Sequence, residues 1–187
     1  MSTANSRNII RVPGRLYADP TDLSIAAPYG GTALGIVRDS EFRFGIKTKL
    51  VTAEEWGGQT VEGIYGGETA IFVAVIRGYD DDMIRTVFMS TGLGESGNRR
   101  IRYEPGNTGN VNRPGTKLSD KAFKLLFAPK NPLHPAIILY RALPAVDEAA
   151  SLQLSLSEEF GIAVAFYAIP DDSKRVYNIG LIGDLVL

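Results

Sequence analysis

The sharpest alternation in the chain covers residues 151–157, where Leu152, Leu154 and Leu156 interleave with Ser151, Gln153, Ser155 and Ser157. A period of two over this length predicts a strand with one apolar face and one wet, uncharged face. A second row places Phe42, Phe44, Ile46 and Leu50 on one side and Arg43, Lys47 and Lys49 on the other, with Thr48 the polar member of the apolar row. It also predicts a half-buried strand. Residues 70–76, 136–140 and 162–169 lack that alternation but are short and rich in β-branched or aromatic side chains, which predicts strands covered on both faces. Residues 9–12, 32–38, 60–64 and 176–182 are shorter strand candidates, for a total of eight to ten.

One helix is predicted over residues 80–88, with an Asp cap, further Asp in the first turn, and Met83, Ile84, Val87 and Phe88 along one stripe. Residues 119–127 fit a helical stripe through Ala122, Phe123, Leu126 and Phe127, yet the nearby Pro129 and extended flanks favour a strand. Tyr29-Gly30-Gly31 and Tyr65-Gly66-Gly67 each precede an apolar segment ending in Arg, at Arg38 and Arg77. Convergent turn chemistry explains this echo better than duplication, and it supports paired hairpins. Residues 92–116 hold six Gly, two Pro and four Asn among 25 positions, which predicts a long loop. A loop of that length is typically functional or orders on contact with a partner. The expected fold is therefore mainly β, a β-sandwich or barrel with one short flanking helix and a long Gly/Asn-rich loop. At 187 residues it fits one domain, 1–187, with 92–116 as an extended assembly loop.

The chain has no cysteine, which removes disulfides and thiolate metal ligands and leaves packing or oligomerisation to supply stability. Residues 162–169 are the longest apolar run, well short of the roughly 20 that a membrane-spanning helix needs. Residues 1–8 contain no apolar block, so a secretory signal is not expected and synthesis in cytoplasm is. The net charge of −1 gives no overall attraction to nucleic acid or membrane. Its distribution is uneven. From Arg99 to Lys130 eight basic residues oppose Glu104 and Asp120, while from Asp147 onward seven acidic residues oppose Lys174 and Arg175. Two solvated faces of a monomer would account for this, and so would complementary surfaces meeting head to tail between copies.

Catalytic and cofactor motifs are sparse. Gly92-Leu93-Gly94-Glu95-Ser96-Gly97 spells the dinucleotide fingerprint, but a helix is predicted before it, not a strand, and Pro105 and Pro114 oppose a helix after it. His134, the single histidine, lies between Leu133 and Pro135 and reads as a turn residue more readily than as a general base. There is no nucleophile elbow, no histidine pair at metal spacing and no phosphate loop. Asp80, Asp81 and Asp82 could hold a hard cation, although the start of a helix explains them without one. Arg99, Arg100 and Arg102 around Ile101 and Tyr103 could contact nucleic acid or acidic protein. The expectation is a non-enzymatic chain without cofactor or metal.

The order of these features resembles the tail tube (major tail) proteins of tailed bacteriophages, whose fold is similar to the tube protein of type VI secretion. The resemblance covers most of the chain. Its residues are the paired strands leading to Gly67-Glu68-Thr69 and 70–76, the helix from Asp80, the Gly/Asn loop, and the segments 135–142, 161–166 and 169–171. It implies a β-sandwich with a flanking helix, hexameric rings whose strands join into a barrel, and stacked rings forming a conduit for DNA. The partners implied are other copies of the chain, further tail proteins (sheath, terminator, baseplate or tape measure) and DNA in transit, with no membrane. The location implied is the virion tail, assembled in the host cytoplasm. A conduit for a polyanion should avoid dense positive charge, so Ser151, Gln153, Ser155 and Ser157 are expected to face the lumen rather than Arg43, Lys47 and Lys49. Ring-to-ring contacts are expected between Arg99, Arg100, Arg102 and Arg113 of the loop and Glu158, Glu159, Asp171 and Asp172 of a neighbour. Other virion roles (terminator, baseplate or capsid-decorating protein) and a ligand- or carbohydrate-binding β-domain stay open on these residues.

Overall fold

The computed structural model describes residues 13–78, 80–88, 94–95, 100–101, 117–145 and 161–187. Within them the chain forms β1 (Gly14–Ala18), β2 (Thr32–Ala53), β3 (Gln59–Arg77), the helical segment α1 (Asp81–Met83) with a π turn over Ile84–Phe88, β4 (Gly94–Glu95), β5 (Arg100–Ile101), β6 (Phe123–Pro129), β7 (Ala136–Ala145), β8 (Ile162–Ala168) and β9 (Tyr177–Gly180). Short 3₁₀ turns occupy Glu54–Trp56, Leu118–Lys121 and Ile182–Asp184. The mainly β architecture matches the expectation.

All the pairings are antiparallel, and they close on themselves. The order β6-β1-β2-β3-β8-β7 returns to its start because β6 also pairs with β7, which makes a six-stranded barrel. Strand β9 takes up the lane of β8 further along β7: Ala142 opposes Ala168 of β8, and Leu139 opposes Tyr177 of β9. Two predicted strands merge in β2, and two in β3. Residues 32–38 and 42–50 join through an irregularity between Val37 and Ser40, giving a strand of 22 residues, and 60–64 and 70–76 join in one of 19 residues. The echo is not repeated in structure. Tyr29-Gly30 belongs to a turn beside the cis Ala27–Pro28 bond, whereas Gly66 is the extra residue of a bulge inside β3.

The barrel interior is filled from every strand, with Leu16, Leu34, Val37, Phe72, Ile76, Phe127, Ile137, Leu139, Val164 and Phe166 among the side chains almost wholly buried there. The predicted helix stripe completes it: Met83, Ile84, Val87 and Phe88 pack into the same core at the end where β3 leaves the barrel. Asp80 caps this segment by accepting from the Met83 amide at 2.8 Å, which is the role that the helix start assigns it. The stripe ends in a π turn rather than α. Residues 119–127 resolve into a 3₁₀ turn followed by β6, as the nearby proline suggested.

Covering on both faces holds for 136–140 but not for the other two unalternating segments. Outside the barrel, Tyr17, Leu126, Ala128, Ile138, Tyr140 and Leu185 form a second cluster beneath the 19–31 turn and the last residues, and this buries the outer face of β7. No such cover lies over β3 and β8 among the described residues. There Ala70, Phe72, Ala74 and Ile76 are buried while Ile71, Val73 and Val75 are partly open, and Tyr167 is 41% exposed. Removing a wholly buried ring should be costly: Phe166→Ala is expected to destabilise the chain by about 3–5 kcal/mol, read from the urea midpoint.

Candidate assembly surface

Strands β2 and β3 are longer than the barrel. Strand β8 covers β3 only as far as Ala70, opposite Ala168, and β1 covers β2 only to Val37, opposite Gly14. Residues 45–69 therefore leave the body as a two-stranded arm, about 25 Å long at ~3.3 Å per residue. Its faces follow the register. Phe42–Phe72, Phe44–Ala70, Ile46–Glu68, Thr48–Tyr65 and Leu50–Gly63 share one face, and Arg43–Ile71, Lys47–Gly67, Lys49–Ile64 and Val51–Glu62 share the other.

The first face is continuous with the core. Phe42 lies 6.5 Å from Phe72 and 5.5 Å from Phe44, and Tyr177 of β9 touches both Phe42 and Phe44 at 5.4 and 5.6 Å between centroids. Beyond that aromatic bridge the row is open to solvent: Phe44 is 56% exposed, Ile46 61%, Leu50 62% and Tyr65 62%. This corrects the half-buried expectation for the 42–50 row. Alternation placed these side chains on one face, but no described element lies over that face. Desolvation and the neighbouring Glu68 carboxylate raise the Tyr65 and Tyr177 hydroxyls above the ordinary tyrosine value. On the second face Glu41 holds Arg43 through two hydrogen bonds of 2.7 and 2.8 Å.

The tip is acidic. Residues 51–64 contain Glu54, Glu55 and Glu62 and no Lys or Arg. The chain reverses through the 3₁₀ turn Glu54–Trp56, closed by the Gly57 amide donating to the Glu54 carbonyl at 3.1 Å. Gly57 and Gly58 follow with φ of +69° and +78°, values at which a side chain would be strained.

A second feature lies on the barrel body. A groove of about 620 Å³ opens beside the start of β1 and the end of β6, floored by Tyr17, Tyr29, Ile36 and Ala128 and flanked by Arg15 and Lys130. Tyr17 and Tyr29 meet edge to face at 5.2 Å. Among the described residues no acidic one lines the groove.

The residues expected at ring contacts are described only in part. Arg99, Arg102, Arg113, Glu158 and Glu159 lie outside the described residues, as do the lumen candidates Ser151, Gln153, Ser155 and Ser157. Arg100 is placed only as part of the two-residue strand β5. Asp171 is engaged within its own chain, accepting from the Arg175 amide at 2.7 Å and from Arg175 Nε at 2.8 Å, while Asp172 is exposed. Arg175 in turn stacks over Tyr140, 4.0 Å from the ring centroid. Burial raises the Asp171 carboxyl pKa, but the hydrogen bonds and charge of Arg175 outweigh it and hold the group below the usual carboxylate value.

His134 sits on an exposed turn whose amide donates to the Asn131 carbonyl at 3.1 Å. Among the described residues no three carboxylate or imidazole groups gather as a metal site, and no helix is long and apolar enough to cross a membrane. No protein-family model matches the chain, and no curated protein matches it either. The arm, its tip and the groove were missed in sequence. The available signals were an acidic block without basic residues at 51–64 and two apolar rows too long for one small barrel.

Two measurements follow. Leu50→Ser alters a side chain that nothing described covers, so the monomer's stability should change by no more than about 0.5 kcal/mol in urea. A depressed carboxyl pKa gives stability that is present above the unfolded value and lost as pH falls through the folded one. Acidification through that window should therefore loosen the turn at 171–175 in amide hydrogen exchange, and Asp171→Asn should show the loosened state already at neutral pH.

Proposed function

We propose that this chain is a structural subunit that polymerises with copies of itself, and that the polymer is the tail tube of a tailed bacteriophage, built of stacked rings enclosing a path for DNA. The observation that carries this reading is the β2–β3 arm, a projecting hairpin whose core-side face continues the apolar interior into solvent. A two-stranded hairpin alone in water is marginally stable, and an exposed apolar row on one marks an interaction surface.

The magnitudes favour many weak contacts over one strong one. Covering the exposed halves of Phe44, Ile46, Leu50 and Tyr65 contributes about 3–6 kcal/mol. Association costs about 4–15 kcal/mol, so one arm barely holds a pair of subunits. A ring, in which each subunit both gives and receives an arm, adds contacts without a proportional new cost. In this reading the uncharged row Ser151, Gln153, Ser155 and Ser157 lines the channel, where bound phosphates would otherwise slow a sliding polyanion. Tail tubes of this kind work with sheath, terminator, baseplate or tape-measure proteins.

Light scattering and negative-stain imaging across a concentration series test it. Long hollow cylinders are expected above a threshold concentration. Discrete rings of fixed size would instead assign a terminator or baseplate role, and a monomer at every concentration would overturn self-assembly altogether.

A further inference from the structure

We propose that the acidic tip of the β2–β3 arm of one copy seats in the Arg15–Lys130 groove of the next copy. The inference rests on the self-assembly reading and names the receiving surface. The tip offers Glu54, Glu55 and Glu62 with no basic residue between positions 51 and 64. The groove offers Arg15 and Lys130, and among the described residues no acidic one lines it. Among the described residues none of Arg15, Lys130, Glu54 and Glu55 is in an ion pair, and all four are exposed. Apolar surface matches as well. Leu50 and Val61, 62% and 49% exposed, flank the tip, and Tyr17, Tyr29, Ile36 and Ala128 floor a groove of about 620 Å³, in the range that accepts a short segment.

The two surfaces of one molecule do not meet. Val37 of β2 opposes Gly14 beside the groove, and the tip begins 17 residues further along the same strand, on the order of 50 Å at ~3.3 Å per residue. The contact is therefore between copies. It joins different patches on the two partners, so repeated head to tail it closes into a ring or continues as a helix according to the angle between subunits, whereas a reciprocal exchange of arms would stop at a two-fold dimer. Reversing charge on one side sets like charges against each other, whereas reversing both sides restores attraction.

The test uses two full-length double variants, Glu54→Lys/Glu55→Lys and Arg15→Glu/Lys130→Glu, followed by light scattering beside the wild type. All four positions are exposed, and circular dichroism with urea unfolding checks that each variant stays folded. Each variant alone should need roughly tenfold or more of the wild-type concentration to assemble. An equimolar mixture should assemble near the wild-type concentration, because each lysine tip meets a glutamate groove and each native tip meets a native groove in an alternating polymer. Either variant assembling by itself like the wild type overturns the proposal and leaves self-assembly standing. A mixture that fails to recover while both variants are folded overturns it too. A wild type that never leaves the monomeric state overturns the self-assembly reading and this proposal with it.

Discussion

The pairing of β6 with β7 determines what the rest of the molecule can do. It turns a row of strands into a closed barrel, so the short strands of the body do not have to end in a row of unpaired amides and carbonyls. Closure also fixes the interior volume, which apolar side chains from all six strands and the stripe from α1 and its π turn then fill. Once the body is sealed, the unpaired strand edges are displaced to the part of the sheet that outruns it. Strands β2 and β3, with 22 and 19 residues, meet neighbours of five and seven residues, and the excess becomes the arm.

An arm with two free edges invites indiscriminate strand pairing, and its sequence blunts that tendency. Gly66 and Val61 are extra residues in β3, and such bulges interrupt the regular ladder that a foreign strand would copy. Lys47 and Lys49 put charge along β2 on the face away from the apolar row. What remains attractive is a face rather than an edge. The Phe72–Phe42–Phe44–Tyr177 bridge joins that face to the core, so force or strain at the arm reaches packed side chains rather than a loose joint.

The parts legible in sequence were those decided locally. The Asp80 cap and the Met83, Ile84, Val87 and Phe88 stripe depend on residues within three turns of each other, and both were found where expected. The strand after residue 122 was signalled by a proline close to it. Burial was not legible in the same way, because period two reports which side chains share a face and says nothing about what covers it. The Phe44, Ile46 and Leu50 row and the Ser-rich row at 151–157 carry the same kind of alternation. The first is exposed because β8 ends opposite Ala70, a fact set by another strand about a hundred residues away. Residues 70–76 and 162–169 likewise looked evenly apolar, yet each is half open because, among the described residues, the outer cluster forms over β1, β6 and β7 and not over β3 and β8. The groove joins Arg15 to Lys130 through the β1–β6 pairing, and no local pattern announces a contact of that separation.

Net charge near zero conceals a segregated molecule, and segregation bears on the symmetry of any assembly. Three glutamates at one extremity would repel their own copies, so a two-fold contact of tip against tip is disfavoured by like charge. A two-fold contact of groove against groove is disfavoured equally by Arg15 and Lys130. Tip against groove brings opposite signs together, and repeated head to tail that contact would leave one acidic tip and one basic groove free at the ends of every open chain. Growth would then add subunits in a single polarity. Closure into a ring consumes both ends at once, so a ring of the right curvature ends lateral growth and leaves its two rims as the surfaces through which any further layer must attach.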